Sequence, residues 1–297
     1  SSANDLVLAA RAADESAIEA ALATAHSMLF DATGGDRDGE DHAATIEHLR
    51  DAVTAQPGTN VAIVSVPGAY ATLETHKALS AGLDVLLFSD NVPLTDEVEL
   101  KQRARSIGRL VMGPGAGTAM LSGVGLGFAN RVRPGPVGVV AAAGTGAQEV
   151  VSLLDRWGVG VTHVIGVGGR DMSGHVGGLM ARSGIEALEA DEHTEAILLV
   201  SKPPSPEVAE ALLGTARSKP MVAALIGLRE PLDGVADGIT VCNTLERGAE
   251  LTARALGRSV PDLSAGTADA VASLITAMPT ARRRLVGLFS GGTLCYE

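Results

Sequence analysis

Along most of the chain a short aliphatic run gives way to a glycine-bearing turn and then to an Ala-, Leu- and Glu-rich segment with helical spacing. That alternation of periods is the signature of βα units. The first series predicts strands at 6–11, 61–66, 85–88 and 110–112, with helices over about 14–29, 45–54, 69–81 and 96–107. A second series predicts strands at 137–141, 161–165, 196–200, 221–226 and 239–242, with helices over about 147–157, 174–190, 205–217 and 244–256. Between them the segment Arg131-Val132-Arg133-Pro134-Gly135-Pro136 reads as a hinge, and residues 31–43 as a polar, glycine-rich loop. Parallel strands joined through helices imply right-handed crossovers. The expected fold class is therefore α/β, with two open parallel-sheet domains.

The last residues break the pattern. Leu285 to Phe289 reads as a strand and Ser290-Gly291-Gly292-Thr293 as the turn opening a helix, but only four residues follow. The expectation is a middle piece of a longer protein. It divides into an N-terminal βα segment with a flexible loop (1–43), a first sheet domain (44–133), a second (134–260), and a linker with the start of an incomplete third α/β unit (261–297).

Composition narrows the chemistry. The chain has 297 residues, 36 of them glycine, against only 4 Phe, 2 Tyr and 1 Trp, and a net charge of −12. So few aromatics leave little material for base stacking, and the negative sign opposes binding to a phosphate backbone, so no nucleic-acid partner is expected. No apolar run approaches the roughly 20 residues of a membrane span, so no membrane partner is expected either. Cys242 and Cys295, far apart and without a signal-like start, fit a reduced compartment, and a cytoplasmic location is expected.

The loops at the carboxyl ends of the predicted strands carry the candidate chemistry, because ligands of open parallel sheets sit there against helix N-termini. Ala143-Gly144-Thr145-Gly146-Ala147 lies between a strand and a helix, where glycines let an anion approach the backbone and Thr145 can cap. It is not a P-loop, since the GxxxxGK[ST] spacing is absent. The next strand ends in Gly166-Val167-Gly168-Gly169-Arg170-Asp171, where Arg170 can clamp a phosphate or carboxylate, or else form a surface pair with Asp171. The third ends in Ser201-Lys202-Pro203-Pro204, which offers a cation on a stiffened loop. In the first series, Ser89-Asp90-Asn91 and Gly113-Pro114-Gly115-Ala116-Gly117-Thr118 occupy the same edge. His175 is the one histidine near these loops. No HExxH, CxxC or GxSxG is present, so neither a metal site nor a Ser-His-Asp site is supported.

Taken in order, Val66-Pro67-Gly68-Ala69, the Gly113-Pro114 loop, Gly144-Thr145 and Gly166–Asp171 resemble the FdrA family, itself similar to the α subunit of succinyl-CoA synthetase. Leu87 to Leu94, Leu126 to Asn130 and Ser201 to Val208 look specifically like FdrA. The resemblance implies a CoA-binding-type Rossmann domain at 44–133 followed by a flavodoxin-like, succinyl-CoA-synthetase-type domain at 134–260. It also implies a phosphate held at Gly144, Thr145 and Gly146. Three departures matter. The synthetase carries its phosphate on the histidine of a GHAGA motif, but the equivalent stretch Gly227 to Gly234 has none. Lys202 stands where the synthetase has the glutamate orienting that histidine, and Gly115 and Ala116 stand where FdrA proteins have Asp and Cys.

A cation beside an intact glycine cradle suits a free phosphate ester better than a phosphohistidine. The resemblance thus implies an acyl-phosphate transferase subunit, of the kind associated with oxamate carbamoyltransfer in allantoin and purine breakdown. Its expected partners are a small anionic substrate and the other subunits of a transferase complex, with an oligomer expected. Arg170 and Lys202 are the candidate catalytic residues. Gly144, Thr145, Gly146, Gly168, Gly169, Arg170, Ser201, Lys202, Gly113, Gly117, Thr118 and Asn91 are the candidate binding residues. No metal or cofactor is required by this chemistry. Coenzyme A is the cofactor the resemblance allows, although the synthetase's CoA-binding glycine loop has no match. The alternatives are an acyl-CoA ligase and a non-catalytic scaffold.

Overall fold

The computed structural model describes residues 14–27, 48–261, 267–279, 286–289 and 291–297. The chain divides into two compact units, 1–47 and 48–297. In the first, helix α1 (Glu15–His26) starts where Asp14 accepts the Ala17 N–H at 2.9 Å, an N-cap that satisfies one orphan donor. The predicted strand at 6–11 and loop at 31–43 lie outside the described residues.

The second unit contains two sheets. Helix α2 (Leu49–Ala55) precedes a three-stranded parallel sheet ordered β1 (Val61–Val64), β2 (Asp84–Leu87), β3 (Val111–Met112). Helices α3 (Gly68–Ser80) and α4 (Leu94–Ser106) make its crossovers. The chain then forms a hairpin of β4 (Thr118–Leu121) and β5 (Val124–Gly127), turned by Ser122 and Gly123 with φ of 48° and 77°, the primed geometry a two-residue hairpin favours. This hairpin joins the second sheet, because β4 pairs antiparallel with β7. The change of sheet therefore falls between Met112 and Thr118, ahead of the hinge read near residue 133.

The second sheet has seven strands in the order β10-β9-β8-β6-β7-β4-β5, with β6 (Pro134–Ala141), β7 (Val161–Gly166), β8 (Ala196–Ser201), β9 (Met221–Leu225) and β10 (Ile239–Cys242) all parallel. Helices α5 (Gly144–Arg156) and α8 (Leu245–Ala255) lie on one face; α6 (Leu179–Ala190) and α7 (Pro206–Leu213) are the other crossovers. Both faces are buried, so the strands read as unbroken apolar runs whose residues alternate between two cores. Leu198, Val200, Val222 and Ala224 enter the core shared with α5 and α8. Ile197, Leu199, Met221, Ala223 and Leu225 enter the other, which continues through α6 into the first sheet.

Two predicted helices are shorter than their periodicity suggested. The helix expected over 174–190 begins only at Leu179, because Gly177 and Gly178 are left-handed (φ 76° and 66°) and hold 171–178 in turns. The one expected over 205–217 stops at Leu213, before Gly214. The strand expected at 285–289 does not form: residues 286–289, the described part of it, pair with no sheet. Helix α9 (Thr267–Ala277) and the short helix α10 (Gly292–Tyr296) follow α8, and α10 packs on α5.

Candidate functional site

The carboxyl ends of β6, β7 and β8 and the loop after β3 converge on a cavity of about 440 Å³. Helix α5 opens on it at Gly144, with Ala143 as an N-cap that offers no side-chain bond. Thr145 therefore does not cap, contrary to expectation; it sits in the first turn with its methyl against the backbone of Gly291. Among the described residues the N–H groups of Gly144, Gly168 and Gly169 have no hydrogen-bond acceptor. A Cβ on Gly144 would meet only Thr118 Oγ1, at 3.9 Å, so the start of α5 faces open space. Three free donors at a helix start and a glycine turn make an anion cradle.

Close backbone approach explains the glycines on the floor. A Cβ on Gly166 would lie 2.3 Å from the Thr118 carbonyl oxygen. Gly168 has φ +85°, and its Cβ would fall 2.8 Å from the Pro114 carbonyl oxygen. The loop after β3 thus crosses directly over the loop after β7, bringing Gly115, Ala116, Gly117 and Thr118 into the wall. Gln148 Nε2 donates to Thr118 Oγ1 at 3.0 Å, which leaves the threonine hydrogen available to a ligand. Lys202 and the buried Ser201 complete the wall on the β8 side.

Of the residues expected to bind, Gly117, Thr118, Gly144, Gly168, Gly169, Ser201 and Lys202 line this cavity. Arg170 does not, and its expected clamp is corrected. Its Nε stands 2.7 Å from Glu97 Oε2 and its Nη2 donates to the Val92 carbonyl at 2.8 Å, tying it to α4 and the residues just before it. Because that glutamate oxygen has no aligned hydrogen bond, the Arg170 contact is a Coulomb pair. Gly146 is buried under Val200, Leu245 and Thr293 and serves packing. Gly113 supports the loop from below, facing the Leu87 carbonyl. Asn91 adopts φ 58° with its N–H on Asp90 Oδ1, beside Gly68 and away from the cavity. His175 is exposed and outside it.

Among the wall residues that were not foreseen, three bear on the cradle. Ser205 occupies the N-cap position of α7 without making a capping bond, and its buried Oγ has no partner among the described residues. A serine before a proline-started helix reads as an ordinary cap, so nothing local marks the hydroxyl as spare. Gly292 and Thr293, read as the start of a third α/β unit, instead cover the cradle; Glu297 Oε1 accepts the Leu245 N–H of α8 at 2.7 Å, fastening the segment.

A second cleft, of about 740 Å³, lies at the opposite, amino end of the sheet and holds His163, Asp191 and His193. Burial pushes Asp191 up, but the Thr194 hydroxyl, the His193 N–H and His163 together hold its carboxyl below the usual carboxylate range. Burial pushes the Cys242 thiol up to about 11, so it is no thiolate nucleophile near neutrality. Among the described residues no group of three or more His, Cys, Asp or Glu is placed to hold a metal ion, and no helix is long and apolar enough to cross a membrane.

Glycine loops at the carboxyl edge of a parallel sheet define the class, and sequence comparison agrees. The CoA binding domain family matches residues 132–226, the stretch that holds β6 to β9 of the seven-stranded sheet. The chain is 40% identical over 261 residues to the uncharacterized protein YahF of Escherichia coli, covering 86% of this chain and 50% of that one. It is 29% identical over 204 residues to succinate–CoA ligase [ADP-forming] subunit alpha 1 of Archaeoglobus fulgidus, covering 67% and 69%. ATP citrate lyase from Methanothrix soehngenii, solved with citrate and coenzyme A, shares the fold with a TM-score of 0.57 and 18% identity, over 82% of this chain and 48% of that one. The chain is thus similar in sequence to YahF and to CoA-ligase α subunits, and in fold to the lyase. It spans about half the length of YahF and of the lyase chain.

Coenzyme A fits one helix start better than the other. At α3 a Cβ on Gly68 would lie 2.4 Å from the Asp90 carbonyl oxygen, so protein backbone already fills that space. The open start of α5 can hold a phosphate group, whether of the coenzyme or of an acyl phosphate.

Proposed function

We propose that this chain is the acyl-phosphate-binding part of a multisubunit transferase, and that its substrate is carbamoyl phosphate with oxamate as acceptor. The observation that carries the reading is the cradle itself. Free amides at Gly144, Gly168 and Gly169 surround a cavity whose single cation is Lys202 and whose described wall contains no histidine. Such a site stabilises a leaving phosphate and supplies no covalent carrier. The oxamate nitrogen attacks the carbamoyl carbon, the bond from that carbon to the phosphate oxygen breaks, and phosphate departs with the electron pair. The nitrogen's proton passes to the departing phosphate. Lys202 and the amides then balance the charge gathering on the leaving oxygen, and Ser205, whose hydroxyl is buried in the unliganded chain, can donate to a second phosphate oxygen once its side chain turns into the cavity.

The test is transfer of label from [14C]carbamoyl phosphate to oxamate by the chain assembled with its partner subunits. Labelled N-carbamoyl product is expected, together with loss of turnover on Lys202→Ala. Full turnover of that variant contradicts the site assignment.

A second reading is favoured by the CoA-binding family match and the ligase relative: an acyl-CoA ligase subunit. It needs a phosphorylated histidine. Acid-labile phosphate on any histidine after incubation of the complex with ATP and magnesium would establish it over the first.

A further inference from the structure

We propose that Lys101, buried in α4, is a positioning residue of the cradle: by holding the Val167 carbonyl it turns the Gly168 amide toward the ligand. The inference rests on the reading that the cavity receives a phosphate, and deepens it. The Lys101 side chain is 0% exposed, as are those of its partners Glu97 and Asp171. Its ammonium donates to Glu97 Oε1 at 2.8 Å, Asp171 Oδ1 at 2.8 Å and the Val167 carbonyl at 2.9 Å, which uses all three hydrogens. Asp171 is fixed in turn, since its carboxylate accepts the N–H groups of Met180 and Ala181 at the start of α6, at 3.2 and 2.9 Å.

The consequence follows from the peptide plane. In a trans peptide the carbonyl of one residue and the N–H of the next point in opposite directions. With the Val167 carbonyl gripped by Lys101, the Gly168 N–H is directed away from α4. Gly168 lines the cavity, and that N–H has no acceptor among the described residues. The ammonium also draws electron density toward the Val167 oxygen, making the Gly168 N–H a stronger donor. A buried charge is costly to desolvate, and an apolar side chain would fill the same space without that cost. Only a donor can hold the carbonyl.

The experiment titrates the 15N-labelled full chain with inorganic phosphate while following the amides of Gly144, Gly168 and Gly169 and the Nζ of Lys101. All four are expected to move with one affinity, while the Nζ of Lys77, paired with Glu74 on the surface, stays still. In Lys101→Met/Glu97→Gln, phosphate should bind about ten-fold more weakly, the loss expected for one hydrogen bond to a charged group. The Gly168 response should vanish and the Gly144 response remain. A Gly168 response unchanged in that variant overturns the positioning role and leaves the cradle standing. Silence at every amide of the unmodified chain overturns the cradle reading and this inference with it. Should the variant not fold, the unmodified chain still decides: phosphate that moves Gly168 but not Lys101 Nζ overturns the proposal.

Discussion

At the amino end of the seven-stranded sheet a cleft of about 740 Å³ holds two imidazoles, three carboxylates and Arg258; at the carboxyl end a cavity of about 440 Å³ holds one cation and mostly glycine and alanine. By size and titratable content the amino end looks the better site. His163 and Asp191, its less exposed ionisable groups, however, already serve one another. His163 Nδ1 accepts the Ser122 N–H at 3.2 Å, and its Nε2 stands 3.5 Å from Asp191 Oδ2, which also accepts the Thr194 hydroxyl at 2.6 Å. The carboxyl end is the reverse, with amides and the Ser205 hydroxyl left over. Unspent donors mark a ligand site more reliably than ionisable groups do, because buried polar groups otherwise find partners.

The sharpest way to break the comparison is a pair of glycine substitutions. Gly168→Val places a Cβ against the Pro114 carbonyl at φ +85° and is expected to cost about 3 kcal/mol and abolish phosphate binding. Gly123→Ala, at the amino-end cleft, has φ +77° but nothing within 4 Å, and is expected to cost about 1 kcal/mol with affinity unchanged. Urea unfolding and calorimetric phosphate titration measure both. Next in size, Lys202→Glu should weaken phosphate binding by about a hundred-fold, since a charge-assisted contact worth about 2 to 3 kcal/mol is replaced by repulsion. His193→Gln in the other cleft should leave binding unchanged; equal losses would erase the distinction between the two ends.

The hydroxyls offer a finer contrast. Ser205→Ala should weaken phosphate binding by about five-fold at unchanged stability, because Oγ has no partner among the described residues to lose. Thr194→Val should do the opposite, losing about 1 kcal/mol of stability through its bond to Asp191 and none of the affinity.

The smallest effect is on acid stability. The Arg133 N–H and guanidinium hold Asp155 below its ordinary value; Asp191 is held down as described above. The Arg247 hydrogen bond, against a small opposing burial effect, does the same for Glu250. A depressed folded-state value means that the unfolded chain binds protons first as pH falls. The stability these groups add is therefore complete above about pH 5 and lost below about pH 4. Asp191→Asn should flatten that acid loss in urea midpoints measured from pH 7 to pH 3.

The glycine loops were legible in the sequence because each is local: a strand, a turn and a helix start lie within a few residues. Order along the sheet edge then put Gly144, Gly168 and Lys202 together. Arg170 was misread because its partner, Glu97, belongs to a helix of the other sheet. Nothing in its own helix marks Lys101 either, since its partners Val167 and Asp171 lie in the loop after β7. The hairpin of β4 and β5 hid the change of sheet, as its short alternation gives no sign of which sheet it joins. Thr293 was read by its local turn, and what it covers is set by docking against α5 and α8.

The central claim is that the start of α5 receives the phosphate of a small acyl phosphate. A crystal of the chain soaked with carbamoyl phosphate tests it most directly. The account predicts phosphate density within hydrogen-bond distance of the Gly144 and Gly168 amides, with Lys202 turned onto it. Density beside His163 and Asp191 at the other end of the sheet, with the cradle empty, would contradict it.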